Sequence, residues 1–312
     1  MTTDDALAPR DEAELEERLS RPTASLPAAL SHVPGDILIL GAGGKMGPTL
    51  ARMAKRADPA RRVIAVSRWS DPAKADALHA HGVQTAQADL LDQRSLAALP
   101  DAPNVVFMAG QKFGTANSPA TTWAMNAAVP AFVGERYAGS RTVVFSTGNV
   151  YPLTPPERGG SLESDPPLPI GEYANSCLAR ERLFSAAAAR HGSPVAIVRL
   201  NYAHDLRYGV LTDLATRLVH RERIDLRMSF VNVIWQGDAN ALALAALVRA
   251  TAPDPFIINV AGPKTLRVAE LARALGRRLG VAPVFSGEEA PDALLSNASR
   301  MHELTGDPLL PL

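Results

Sequence analysis

The chain has 312 residues, of which 46% are hydrophobic and 21% are charged, and its 32 basic side chains balance its 32 acidic ones. This composition predicts a globular protein with a large core, a small-molecule substrate and no basic surface for nucleic acid or for a membrane. The acidic N-terminus and the absence of a long apolar run predict a cytoplasmic protein without a leader or a membrane span. A single cysteine, Cys177, excludes an internal disulfide, and no His, Cys, Asp and Glu cluster has metal-ligand spacing.

Residues 1–34 predict an arm that precedes the first strand. Residues 11–20 are acidic at their start and basic near their end, which suits the dipole of a short helix, and Pro22 ends it. Leu15 and Leu19 lie four residues apart and give the helix one apolar edge. We expect this helix to pack on the outside of the main domain.

A glycine-rich turn follows the first apolar run, residues 36–40. Residues 41–47 read Gly-Ala-Gly-Gly-Lys-Met-Gly and lead into a helical pattern. A strand, glycines and a helix in this order predict a dinucleotide-binding βαβ unit, whose helix N-terminus binds the phosphates. The glycines allow the tight turn, the close approach of a pyrophosphate and the packing of helix on strand. The cofactor-binding residues predicted here are Gly41, Gly44, Lys45, Met46 and Gly47.

The second apolar run, residues 62–66, ends in Ser67 and Arg68. An NAD-preferring fold usually has an acid here that binds the ribose hydroxyls, and this chain has none. A serine and an arginine suit a 2′-phosphate, because guanidinium pairs well with phosphate. We predict NADP as the cofactor, with NAD as the alternative, in which Arg68 is a solvated turn residue.

Further apolar runs at residues 83–88, 104–108, 141–145, 194–200 and 256–260 alternate with helical patterns. This alternation predicts an α/β fold, a doubly wound parallel Rossmann sheet. In such a sheet the ends of the third and fourth strands face the adenine and the nicotinamide half of the cofactor. A loop at residues 111–115 would lie over the bound cofactor. The residues predicted to contact the cofactor are Asp89, Leu90, Ala109 and Gly110.

Taken together, residues 35–265 resemble the extended short-chain dehydrogenase/reductase family of the NAD-dependent epimerase/dehydratase type. The glycines, Asn126 on the fourth helix, the strand-five segment 145–151 and the segment 230–238 match in order and spacing. Residues 173–176 resemble the start of the family's catalytic Tyr-x-x-x-Lys segment, with Tyr173 at the tyrosine position, and Thr147 lies at the family's catalytic Ser/Thr position. The resemblance implies that Asn126 and Tyr173 contact the cofactor. It also implies a dinucleotide-binding domain of residues 35–200 plus about 230–262, and a smaller C-terminal substrate-binding lobe of about 201–229 and 263–312.

Cys177 stands where the resemblance implies a lysine, four residues after Tyr173. A nearby fixed cation would lower the pKa of the tyrosine, whereas a thiol is mostly neutral near pH 7. Tyr173 should therefore be a poorer base than its counterparts. Lys112, on the overhanging loop, is the first candidate to compensate. Arg180, on the helix of Tyr173 but a turn further away, is a weaker one, because helix arginines are commonly exposed.

The substrate-binding candidates lie on strand five and after strand six. Three of them have a structural alternative: His204 a structural histidine near a turn, Arg207 an ion pair with Asp205 or Asp213, and Trp235 a core residue. The residues predicted to contact the substrate are Thr147, Asn149, Asn201, His204, Arg207 and Trp235.

The resemblance implies an NAD(P)-dependent oxidoreductase, epimerase or dehydratase. Its substrate would be a sugar, nucleotide sugar or sugar acid, and the reaction would take place at a hydroxyl or ketone of that compound. Tyr173 would be the acid/base and Thr147 would orient the substrate oxygen. The protein is expected to be a possible homodimer. Cys177 motivates the alternative, a non-catalytic NAD(P)-binding sensor.

Overall fold

The structure is a computed structural model, and it describes residues 8–112, 114–115, 117–306 and 309–310. Within them, no helix combines the length and the apolar character that crossing a bilayer requires. The strands in chain order are β1 Ile37–Leu40, β2 Val63–Ser67, β3 Gln84–Gln87, β4 Asn104–Phe107, β5 Arg141–Thr147, β6 Val195–Leu200, β7 Ala203–His204, β8 Arg223–Asp225, β9 Phe230–Val231, β10 Ile234–Trp235, β11 Phe256–Val260, β12 Leu266–Arg267 and β13 Val284–Ser286.

The central sheet has the order β11-β6-β5-β4-β1-β2-β3 and is parallel throughout. The predicted α/β fold with a doubly wound parallel sheet is therefore confirmed. All seven predicted strands are present, with ends that differ by at most two residues. The strand order reverses between β1 and β4, and such a reversal opens a crevice at the carboxyl ends of the strands.

Helices cover both faces of this sheet, each over its own hydrophobic cluster. The helices are α1 Glu12–Leu19, α2 Leu26–Ser31, α3 Gly47–Ala57, α4 Pro72–Ala80, α5 Gln93–Ala97, α6 Pro119–Trp123, α7 Val129–Arg136, α8 Gly171–His191, α9 Val210–Val219, α10 Gln236–Arg249 and α11 Val268–Leu279, with a π-helical turn, Ala124–Ala128, between α6 and α7. The helices α2, α3 and α10 pack on one face of the sheet, and α5, α7 and α8 pack on the other.

The N-terminal arm holds two helices rather than the one predicted. Leu15 and Leu19 of α1 are buried, as expected from their spacing. The second helix, α2, buries Leu26 and Leu30 completely against the core. It is only six residues long and begins next to Pro27, so it has no periodic pattern to reveal it.

The segments after β6 and after β11 meet in a third hydrophobic cluster. Leu214 and Leu218 of α9 pack with Val268 and Ala272 of α11. These are the two segments predicted to build the substrate-binding lobe, although the division into domains stays a prediction. Residues 293–297 turn back to the nucleotide-binding part, where Ala293 pairs with Thr154.

Candidate active site

A cavity of about 500 Å³ lies at the carboxyl ends of β1, β4, β5 and β6. Its wall combines the glycine-rich turn, the loop after β4, the end of β5, one face of α8 and the segment after β6. This is where a doubly wound sheet offers its ligand crevice. The predicted site residues in this wall are Gly41, Gly44, Lys45, Met46, Gly110, Lys112, Thr147 and Tyr173.

The glycine-rich turn has the shape of a phosphate cradle. Gly41 has a φ of +93°, and a Cβ there would lie 2.6 Å from the backbone of Ala109. A Cβ at Gly47 would lie 2.3 Å from the carbonyl oxygen of Ala42, so the first turn of α3 packs on the loop as predicted. Gly44 has no such neighbour and faces the cavity. The turn therefore fits a pyrophosphate at the N-terminus of α3.

The residues predicted for the adenosine half lie beside this turn but outside the cavity. A Cβ at Gly43 would lie 2.3 Å from the Oγ of Ser67, so Ser67 packs directly on the turn. Arg68 and Asp89 are exposed, whereas Leu90 is buried. A basic side chain therefore follows β2 next to the turn, and a role in cofactor binding stays a prediction for these residues.

Tyr173 and Thr147 meet in the cavity. The Tyr173 phenol lies close enough to Thr147 and Cys177 for both side chains to affect its pKa. Burial raises the pKa of Tyr173, and burial also raises the pKa of the Cys177 thiol. Both groups are therefore neutral near pH 7, and Tyr173 is suited to donate a proton rather than to accept one. Asn149 does not line the cavity, because its side chain and its N–H bind Thr147 instead, at 3.1 and 3.2 Å.

Lys112 reaches the cavity from the loop after β4, as the sequence predicted. Burial of its ammonium group and the nearby Lys45 lower the pKa of Lys112. The loop therefore adds the cation of Lys112 to a cavity wall that also carries Lys45. Phe113, also on the predicted overhanging loop, lies outside the described residues.

Arg180 lies in the cavity wall, which differs from the exposed position expected of a helix arginine. It is 6% exposed rather than on the helix surface, and it lines the same cavity as Tyr173. Its Nη1 donates to the carbonyl oxygen of Phe145 at 2.7 Å, and its Nη2 donates to Asn126 Oδ1 at 2.9 Å. The spacing of seven residues from Tyr173, on one helix face, was the available signal.

Asn126 lies behind the cavity wall, on the π-helical turn, rather than in it. Its Oδ1 accepts from the Gln111 N–H at 2.8 Å as well as from Arg180. Its Nδ2 donates to the Gln111 carbonyl at 2.9 Å and to Ser176 Oγ at 3.0 Å. Asn126 therefore joins the loop after β4 to α8, and its contact with the cofactor stays a prediction.

The structure does not bring Asn201, His204, Arg207 or Trp235 to this cavity. Asn201 is buried against Asn232 and the carbonyl of Leu294. Arg207 binds Asp205 at 2.7 Å, which is one of its structural alternatives.

The ring of His204 packs edge-on against Trp235, with centroids 5.9 Å apart. Trp235 lines a separate cavity of about 480 Å³ near the C-terminal segment. Tyr202 and Tyr208, from the segment after β6, line the active-site cavity instead. The predicted segment therefore borders the cavity, but with other side chains than the polar ones predicted, and substrate binding by this segment stays a prediction.

Glu181 of α8, the helix that carries Tyr173, is bound to two strands of the sheet. Arg199 of β6 binds Glu181 at 2.8 Å, and these side chains are only 3% and 2% exposed. Ser146, next to Thr147 on β5, donates from its Oγ to Glu181 Oε1 at 2.5 Å. Glu181 therefore fixes β6 and the end of β5 against α8.

Comparison with known proteins agrees with this geometry. The sequence matches the family described as the NAD dependent epimerase/dehydratase family over residues 37–222. The chain belongs to this family. The match confirms the predicted resemblance and the predicted class, an NAD-dependent enzyme of the epimerase/dehydratase type. No curated protein matches this member of the family.

Solved structures share the fold of this family member over most of its length. WbmG from Bordetella bronchiseptica, solved in complex with NAD, is 18% identical, with a TM-score of 0.72 over 89% of this chain and 90% of that chain. UDP-glucuronic acid 4-epimerase from Bacillus cereus, in complex with UDP-glucuronic acid and NAD, is 17% identical, with a TM-score of 0.72 over 88% and 95%. A putative epimerase from Burkholderia cenocepacia J2315 is 22% identical, with a TM-score of 0.71 over 88% and 93%. At such identities the likeness establishes the fold.

Proposed function

We propose that this enzyme transfers hydride between a nicotinamide dinucleotide and a hydroxyl or ketone of a sugar, nucleotide sugar or sugar acid. The observation that carries the proposal is that Tyr173 and Thr147 share one cavity with the glycine-rich turn. The sugar assignment is supported by the family and by the fold neighbour that binds UDP-glucuronic acid together with NAD.

The side chains of the cavity suit reduction of a ketone. The dinucleotide, when bound, supplies the hydride that reaches the carbonyl carbon. The neutral Tyr173 phenol donates its Oη proton to the carbonyl oxygen, and Thr147 Oγ1 orients that oxygen by a hydrogen bond. Epimerisation by transient oxidation uses the same groups in both directions, and it requires Tyr173 to accept a proton first.

Turnover with a panel of sugar ketones, sugar alcohols, sugar acids and nucleotide sugars tests this function. Nicotinamide absorbance reports net redox, and chromatography of the sugars reports epimerisation or dehydration. We expect at least one compound to be converted in a dinucleotide-dependent manner. Tight dinucleotide binding without conversion of any compound would contradict the proposal and favour the non-catalytic sensor.

We propose NADP as the preferred cofactor, with NAD as the alternative. The support is an exposed Arg68 after β2, where no acid stands to bind the ribose hydroxyls. Two of the fold neighbours named above were solved with NAD, so the NADP assignment rests on this chain's own residues. The possible homodimer and the cytoplasmic location also stay predictions.

Replacing Arg68 with alanine should weaken NADP binding about tenfold and leave NAD binding nearly unchanged, because only NADP carries the 2′-phosphate that a guanidinium pairs with. Calorimetric titration of both dinucleotides into both proteins measures the two affinities. Arg62→Ala, which removes an exposed arginine at the other end of β2, is the matched control. Equal losses for NAD and NADP would show that Arg68 does not recognise the phosphate.

A further inference from the structure

Arg180 is a buried cation without an anionic partner. It is 6% exposed, and among the residues that the structure describes no carboxylate forms an ion pair with it. Its Nη atoms bind a carbonyl and an amide oxygen, whereas its Nε is buried and has no hydrogen-bond partner. Burying an unpaired charge is costly, so arginines are rarely buried unless the charge is used.

The surroundings of Arg180 are shaped to hold its guanidinium in the cavity wall. A Cβ at Gly110 would lie 2.4 Å from Nη2, so only glycine leaves room at this position. The guanidinium also lies over the ring of Phe107, with its carbon 5.6 Å from the ring centre. With the two hydrogen bonds to Phe145 and Asn126, these contacts fix the charge in one place.

Helix geometry explains how Arg180 reaches the level of Cys177. Residues 173, 177 and 180 lie on one face of α8, because side chains at these spacings align. The rise between residues 177 and 180 is roughly 4.5 Å, and helical side chains tilt toward the N-terminus. A long side chain at position 180 therefore extends back beside the short one at position 177.

We propose that Arg180 is the positioning residue that supplies, beside Tyr173, the fixed positive charge that Cys177 cannot provide. The inference rests on the proposed function, in which Tyr173 exchanges a proton with the substrate. The charge stabilises the phenolate side of that exchange, and it adds an attraction for the anionic dinucleotide in the same cavity. Burial raises the pKa of Tyr173, and Arg180 opposes that rise.

Other charged and titratable groups also line this cavity. Lys112 comes from the loop after β4 rather than from α8, the helix of Tyr173. Asp213 is an acid, so it would raise the pKa of a nearby phenol rather than lower it. The charged and titratable groups that line the cavity with Tyr173 are Arg180 on α8, Lys45 on the glycine-rich turn, Lys112 after β4, Asp213 on α9, and Tyr202 and Tyr208 after β6, and Cys177 on α8 interacts with Tyr173 directly.

The first test removes the charge of Arg180 and keeps a donor for the Phe145 carbonyl. In Arg180→Gln, the low-pH limb of the pH–rate profile for alcohol oxidation, on which a protonated Tyr173 cannot accept the proton, should move up by about one pH unit, because the phenolate loses a cation. Arg180→Lys, which keeps a positive charge, should keep the limb near its wild-type position. A wild-type limb in Arg180→Gln overturns the proposal, and so does a limb that moves in Lys112→Met instead.

The second test moves the charge by one helical turn. Arg180→Gln should weaken dinucleotide binding about tenfold, and adding Cys177→Lys should restore most of it, because a lysine then places its ammonium in the vacated space. Calorimetry measures the dinucleotide affinity without any substrate. The binding result therefore tests the role of Arg180 even if no compound is turned over and the proposed function fails. If the single variant does not fold, the double variant should fold and bind. A double variant that binds no better than Arg180→Gln, or that also fails to fold, overturns the proposal.

Discussion

Replacing Tyr173 with phenylalanine should lower the rate of ketone reduction by about two to four orders of magnitude, since this is the usual contribution of a positioned acid. The change removes the phenolic proton and keeps the ring that packs beside Cys177. Dinucleotide affinity should change far less, because the glycine-rich turn is untouched. Initial rates and calorimetric binding constants of the two proteins measure both quantities.

The matched control is Tyr202→Phe, which removes a hydroxyl from another partly buried tyrosine of the same cavity. We expect it to retain at least a tenth of the wild-type rate. The wild-type rate of reduction should also stay level from about pH 6 to pH 9, because burial raises the pKa of Tyr173 and the phenol remains protonated across that range. Substantial activity in Tyr173→Phe would assign the proton transfer to another group.

Replacing Glu181 with glutamine should lower the free energy of unfolding by about 3 to 5 kcal/mol, the usual effect of removing one partner of a buried ion pair. The cause is that the Arg199 guanidinium, 3% exposed, would keep its charge without a carboxylate. Equilibrium unfolding in urea measures the change. Turnover should fall as well, because Ser146, and with it the strand end that carries Thr147, would be held on α8 by a weaker hydrogen bond to an uncharged oxygen.

The matched control is Glu289→Gln, which breaks an ion pair of similar length, 2.5 Å to Arg267, on the exposed surface. Exposed pairs contribute little, because water already solvates both charges. We expect the control to be close to wild type in urea. A Glu181→Gln protein as stable as the control would show that the buried pair does not hold α8 against the sheet.

Local patterns were enough to predict most of the fold. The apolar runs that form β1 to β6 and β11 are continuous because both faces of a parallel sheet are buried, and their ends were correct within two residues. The helix α2 was missed because tertiary burial of Leu26 and Leu30, rather than a local pattern, stabilises it. The pairing of Ala293 with Thr154 spans more than a hundred residues and leaves no trace in local sequence.

The residues of the cavity wall could also be predicted only in part. Gly41, Thr147 and Tyr173, whose places depend on backbone shape or on position in the fold, line the cavity as the sequence predicted. Residues whose places depend on long-range partners were not predicted. The burial of Arg180 depends on Asn126, Phe145 and the bare Cα of Gly110, which approach it only after folding.

Transfer of label from the cofactor to the product tests the central claim most directly. The enzyme would be supplied with reduced dinucleotide carrying deuterium at C4 of the nicotinamide and with a ketone that it converts. Our account predicts that the new hydroxyl-bearing carbon of the product carries one deuterium, and that Tyr173→Phe slows its appearance at least about a hundredfold. Product that forms at the wild-type rate without deuterium would contradict the account, because no hydride would then pass between the dinucleotide and the substrate.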